Sequence, residues 1–135
     1  MGQKTKSFLA LDVGEKRIGV ATATDSIRIA IPLTTLIVDG SEVQQIAKIV
    51  AQEKTDTIVV GYPRNQSGEA TAQTVYAEAF ASQLEGLADA IYFQDESLTS
   101  VLAEDQLKGD KRPYTKADID MRAATLILQD YLEAL

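Results

Sequence analysis

Four acids in this chain stand where acids are costly. Asp12 interrupts the apolar run LALDVG, at a place where a core would favour Val or Ile. Asp95 and Glu96 close a second apolar run, IYFQDES. Asp120 lies in TKADIDMRAATLILQDYLEAL, and helical spacing puts it on one face with Ala124, Ile127 and Tyr131. That face must pack on something apolar. A buried carboxylate costs several kcal/mol unless it is paired or bound to metal. Hard oxygen donors from separate segments, with no His or Cys among them, describe a magnesium or manganese site. Two such ions about 3.5–4 Å apart can activate a water and stabilise the leaving oxygen of a phosphodiester.

Each acid also has an ordinary explanation. Asp12 could cap a hairpin turn or face water. Asp95 or Glu96 could cap the following helix, and only one can point to a given side of a strand. Spacing alone does not choose between them. Asp120 could simply favour the positive end of a helix. Asp118 is different, because Thr115-Lys116-Ala117-Asp118 reads as a complete capping box, with Thr115 as the cap. The helix carrying these acids should also have a solvated face of Asp118, Arg122, Thr125 and Gln129.

Composition narrows the chemistry further. The 135 residues contain no Cys and no His. This excludes disulfides, thiol nucleophiles, Ser-His-Asp triads and histidine zinc sites. The length and the 45% hydrophobic content suit a single domain over 1–135. There is no signal-peptide pattern and no stretch long enough to span a bilayer, so a soluble cytoplasmic protein is expected. The net charge of −7 speaks mildly against a nucleic-acid partner. Local charge matters more. Lys108, Lys111, Arg112 and Lys116 face only Asp110 in their segment, and Lys16, Arg17 and Arg64 flank the glycine-containing motifs. All of these could equally be solvated surface charges.

The elements that must position these residues follow from the apolar pattern. SFLALDVG and RIGVATAT read as strands joined by a short turn at Gly14, and IRIAIPLTTLIV as a third strand. Pro32 makes that third strand an edge or a bulge. SEVQQIAKIVAQE has helical spacing with Ser41 as its cap, and TDTIVVGYP reads as a buried parallel strand. EATAQTVYAEAFASQLEGL is a second helix, ADAIYFQDES a fifth strand and SVLAEDQLK a third helix. GDKRPY is a loop before the last helix. The order β-β-β-α-β-α-β-α-α predicts an α/β fold, a five-stranded mixed sheet with helices on both faces. Gly61-Tyr62-Pro63 and Asp95-Glu96 should then lie at one edge of the sheet, where ligands of such folds gather.

Four motifs, LALDVGEKRIGVA, IVVGYPRNQSGE, QDESLTS and DIDMRAATLILQDYL, together resemble the YqgF/RuvX family over nearly the whole chain. The resemblance implies a ribonuclease H-like fold. It implies a metal-dependent nuclease linked to maturation of the small-subunit (16S) ribosomal RNA precursor. Asp12, Glu96 and Asp120 would be its metal-binding acids, holding Mg²⁺ or Mn²⁺, as two ions. Lys16, Arg17, Arg64, Lys111, Arg112 and Lys116 would meet nucleic acid. One departure stands out, since Ser97 follows the motif Glu where the family usually has Arg.

Three other readings compete. The same carboxylate chemistry could resolve Holliday junctions, that is, branched DNA, normally as a homodimer rather than a monomer. The fold could serve a non-catalytic, ribosome-associated factor. LDVGEKRIGVA also resembles the first phosphate loop of actin-like ATP-binding proteins, which normally close two such domains over nucleotide.

Overall fold

A computed structural model describes residues 5–63, 67–96, 99–110 and 112–135, with backbone only for 99–102. Its element order is the expected one. The strands are β1 (Ser7–Val13), β2 (Arg17–Thr24), β3 (Ile31–Ile37), β4 (Thr57–Tyr62) and β5 (Ala90–Asp95). The helices are α1 (Glu42–Glu53), α2 (Ala72–Ser82), α3 (Thr99–Gly109) and α4 (Lys116–Glu133). The five strands form one sheet in the order β3-β2-β1-β4-β5. β1, β2 and β3 form an antiparallel meander, and β4 and β5 extend it in parallel with β1.

β3 is an edge strand, and its register slips between Val20 and Ala21, opposite Thr34 and Pro32. Both outcomes expected of Pro32 therefore occur together, because a ring without an N–H is tolerated where the ladder is open or broken. The strand is shorter than the apolar run IRIAIPLTTLIV suggested. Arg28 takes the left-handed conformation at φ 60°, and its N–H donates to the Thr24 carbonyl at 2.8 Å, so 25–27 forms a turn and 28–30 leads irregularly into β3.

α2 is also shorter than its sequence pattern. Thr71 and Thr74 form a reciprocal capping box at its start, and Thr74 Oγ1 donates to the Pro63 carbonyl. The helix stops at Ser82, and Gly86, at φ 87°, belongs to the turns that follow. Ser41 precedes α1 but makes no capping bond to it; its Oγ instead donates to Asp39 Oδ1 at 2.6 Å.

Alternation along the strands divides the apolar side chains between two faces. Leu9, Leu11, Val13, Ile18, Val20, Ile58 and Val60 face α1 and α2, packing with Ile46, Val50, Ala77 and Phe80. Phe8, Ala10, Ala21, Ala23 and Val59 face α4, packing with Ala124, Ile127, Leu128 and Leu132. Burial of Ile127 and Leu128, both fully enclosed, contributes about 1.5–3 kcal/mol each.

The solvated face expected of α4 is not found. Thr125 is buried, and its Oγ1 donates to the Met121 carbonyl. Gln129 accepts from the Ala30 N–H at 2.9 Å, and the Arg28 guanidinium donates to the Leu132 carbonyl at 2.5 Å. The segment 28–30 thus covers this flank of α4, a tertiary contact that helical periodicity cannot reveal.

Candidate active site

Asp12 is the next-to-last residue of β1 and shares a face with Ala10, so it points toward α4. Its cross-strand partner is Gly19 of β2. A Cβ on Gly19 would stand 1.9 Å from the Asp120 carbonyl oxygen and 3.0 Å from the Met121 nitrogen. Only hydrogen at Gly19 lets the backbone of α4 lie directly on the sheet, and Asp120 is the residue laid there. A glycine within a strand commonly marks such a close approach.

Gly61 does the same on the other side. It lies one step beyond the Leu11–Val60 pair, level with Asp12, and pairs with Gln94 of β5. A Cβ there would stand 2.5 Å from Glu96 Oε2 and 2.7 Å from Ile127 Cδ1. The space beside Asp12 is therefore filled by the Glu96 carboxyl. The Glu96 N–H donates to the Tyr62 carbonyl at 3.4 Å, carrying the β4–β5 ladder one residue past the strand. One row across the sheet thus reads Gly19, Asp12, Gly61. The two glycines admit the two acids that flank the third.

Asp12 and Glu96 are in hydrogen-bonding contact, and both carboxyls are pushed up from their ordinary values. For Asp12 the main cause is burial, and the nearby Asp120 charge adds to it, while the hydrogen bond from Glu96 opposes it. Glu96 is pushed up to about 9, by burial first, then by the Asp12 charge and the hydrogen bond it gives. Two adjacent desolvated carboxylates cannot both ionise cheaply, so the pair favours one proton shared between them.

Asp120 stands apart from that pair in one respect. Its Oδ2 accepts from Arg17 Nε at 2.6 Å, with the two side chains 19% and 31% exposed. Among the described residues, no three acids are gathered at metal-ligating spacing as the side chains lie. The donor set nevertheless suits a hard divalent cation. It offers carboxylate oxygens alone, from two carboxyls in contact that are both pushed up for want of nearby positive charge, and from a third coupled electrostatically to Asp12.

The remaining residues singled out from the sequence have different fates. Asp95 pairs with Tyr62 on the opposite face of β5 from Gln94, so it points away from Asp12. Thr115 and Asp118 form the expected capping box, with bonds of 2.8 and 3.2 Å. Lys16 is exposed at the hairpin, and its carbonyl accepts from the Val38 N–H. Lys16, Arg17 and Asp120 line one open cavity of about 300 Å³ together with Gly14, Glu15 and Gln73. Gly14 serves the turn itself, its N–H donating to the Arg17 carbonyl at 3.0 Å. Arg112 and Lys116 are exposed just before and at the start of α4. Arg64, Lys111 and Ser97 lie outside the described residues. A larger apolar cavity of about 620 Å³ opens at the other end of the sheet, among Thr22, Ile27, Ile29 and Ile31, away from the acids.

The family model described as "RuvX: Holliday junction resolvase" matches residues 6–134. The chain belongs to the RuvX family. Its relatives include a protein of Chloroflexus aurantiacus named "Putative pre-16S rRNA nuclease", 44% identical over 132 residues, covering 94% of this chain and 86% of the relative. A Synechocystis protein of the same name is 38% identical over 135 residues, covering 96% and 89%. Among solved structures, Thermus thermophilus RuvC is similar with a TM-score of 0.56 at 11% identity, over 95% of both chains. The same RuvC in complex with a Holliday junction substrate gives 0.55 at 12% identity, covering 96% of this chain and 94% of that one. These likenesses carry the fold, which is ribonuclease H-like as the motifs implied.

Proposed function

We propose that this RuvX protein is a metal-dependent nuclease that hydrolyses phosphodiester bonds in the 16S ribosomal RNA precursor. The observation that carries the reading is the row Gly19, Asp12, Gly61, which admits Asp120 and Glu96 to either side of Asp12. Two glycines that each admit one acid are hard to explain by stability alone, since buried like charges destabilise the fold. The names of the relatives support ribosomal RNA as the substrate.

Asp12, Glu96 and Asp120 would hold Mg²⁺ or Mn²⁺, as two ions. When bound, the metal supplies an activated water and charge stabilisation at the leaving oxygen. The protein's own residues do the rest. Asp12 and Glu96, once their shared proton is lost to solvent, would serve as paired ligands. Gly19 fixes the main chain of Asp120 so that only its carboxylate can turn. Lys16, in the cavity with Asp120, and the exposed Arg112 and Lys116 would offer positive charge to a phosphate backbone.

The test compares wild type with Asp12→Asn on precursor 16S RNA and on four-way DNA, with and without Mn²⁺. We expect Mn²⁺-dependent cleavage of the RNA by wild type alone. Equal cleavage by both proteins would refute the assignment of the acids. Cleavage of the four-way DNA but not the RNA would move the substrate to branched DNA.

A further inference from the structure

The ion pair between Arg17 and Asp120 occupies Oδ2, one of the two carboxylate oxygens with which Asp120 could bind a cation. Arg17 opens β2, two residues before Gly19, and so lies on the same face of the sheet. Gly19 carries the main chain of Asp120, which has no room to retreat toward the sheet. The carboxylate is thus brought to the guanidinium by the close contact itself, and the 2.6 Å separation is that of a charge-assisted bond. Neither side chain is fully in water, so the pair is less screened than a surface ion pair. The adjoining cavity is also lined by Gly14, Glu15, Lys16 and Gln73, and the bond that reaches the Asp120 carboxylate there comes from Arg17.

We propose that Arg17 competes with the divalent cation for Asp120, so that the ion pair must open before Asp120 can join Asp12 and Glu96 around metal. The inference rests on the nuclease reading for its choice of ligand. It makes Arg17 a positioning residue of the metal-free protein and a brake on metal loading. It also sets the guanidinium free, once the carboxylate has turned, within a cavity shared with Lys16 and open to a phosphate.

The experiment titrates Mn²⁺ alone, by calorimetry, into wild type, Arg17→Met and Arg17→Lys, and follows thermal unfolding of each with and without saturating Mn²⁺. Arg17→Met should bind Mn²⁺ roughly three- to tenfold more tightly, the equilibrium equivalent of releasing a partly exposed ion pair. Its melting temperature should fall only without metal, because with metal the pair is already open. Arg17→Lys keeps the positive charge and should stay close to wild type in affinity. Equal or weaker Mn²⁺ binding by Arg17→Met overturns the proposal. So does an equal loss of melting temperature in both states, which marks a merely structural residue. Cleavage of precursor RNA is scored separately. Tighter Mn²⁺ binding by Arg17→Met, with wild type cleaving neither precursor RNA nor four-way DNA, would support the competition and defeat the nuclease reading. Metal-dependent cleavage without the affinity gain would do the reverse.

Discussion

The two faces of the sheet are built from side chains of different size. Toward α1 and α2, β1 and β2 present Leu9, Leu11, Val13, Ile18 and Val20. Toward α4, the same two strands present Phe8, Ala10, Asp12, Gly19, Ala21 and Ala23. Large residues hold a helix at the distance of a side chain and fill the gap with apolar volume. Small ones let a helix come down onto the strand. The first face stabilises the molecule, and the second places three acids at one end of it. Precision on the α4 face comes from what is missing at Gly19 and Gly61.

Truncation on one face and enlargement on the other should therefore have opposite signatures. Gly19→Ala adds a methyl group where the Asp120 carbonyl already stands, and backbone cannot step aside as a side-chain tip can. We expect α4 to shift, with cleavage falling about 100-fold or more, the scale for misplacing a reacting group by about 1 Å. Leu11→Ala on the opposite face removes fully buried volume and should cost about 2–5 kcal/mol in urea melts. Below its melting temperature, cleavage per folded molecule should stay within about threefold of wild type, short of the misplacement scale. A Leu11→Ala enzyme that is folded but dead would break the division of labour between the faces.

The acids themselves sharpen the contrast through pH. Glu96 is pushed up in the folded protein to about 9 from 4.5, so between those values the folded state holds more protons than the unfolded one. Metal-free stability should then fall as pH rises through that window, by up to about 1.4 kcal/mol per pH unit for one proton. Glu96→Gln removes this ionisation. Without metal it should be more stable than wild type at pH 8, and added Mn²⁺ should stabilise it less. Asp12, also pushed up, leaves part of the slope in place. Thermal melts across pH 5–9, with and without Mn²⁺, measure all of this. A metal-free wild type that grows more stable as pH rises would contradict the shared proton.

Much of this arrangement was legible before the structure. The order of elements, the strand boundaries at β2 and the direction of Asp120 all follow from local periodicity. Asp12 was ambiguous because alternation places it opposite Leu11 without saying whether water or a helix lies there. Glu96 could be preferred over Asp95 only through the family motif. The geometric reason lies in Gly61, which leaves the space that the Glu96 carboxyl fills. Gly19 and Gly61 were visible as glycines within strands, a signal of close approach whose partner sequence does not name. The Arg17–Asp120 pair, 103 residues apart, and the buried flank of α4 depend on contacts distant in sequence. Periodicity reads one element at a time, and these features belong to two.

The smallest effect expected here concerns two acids only two positions apart. Asp118 accepts the Thr115 N–H at 2.8 Å and closes the capping box, so its contribution is to the end of α4. Asp118→Ala should cost about 0.5–2 kcal/mol, the range for a lost cap, and leave cleavage unchanged. Asp120 makes no part of that cap; its main chain lies over Gly19, and its carboxylate faces Arg17. Asp120→Asn should abolish cleavage while leaving the cap bonds intact. Urea melts and the RNA assay, run on both variants, separate the roles. If Asp118→Ala abolished cleavage with its helix intact, the cap would have to act on the site directly. Gly19 would then no longer be the contact that sets where Asp120 stands.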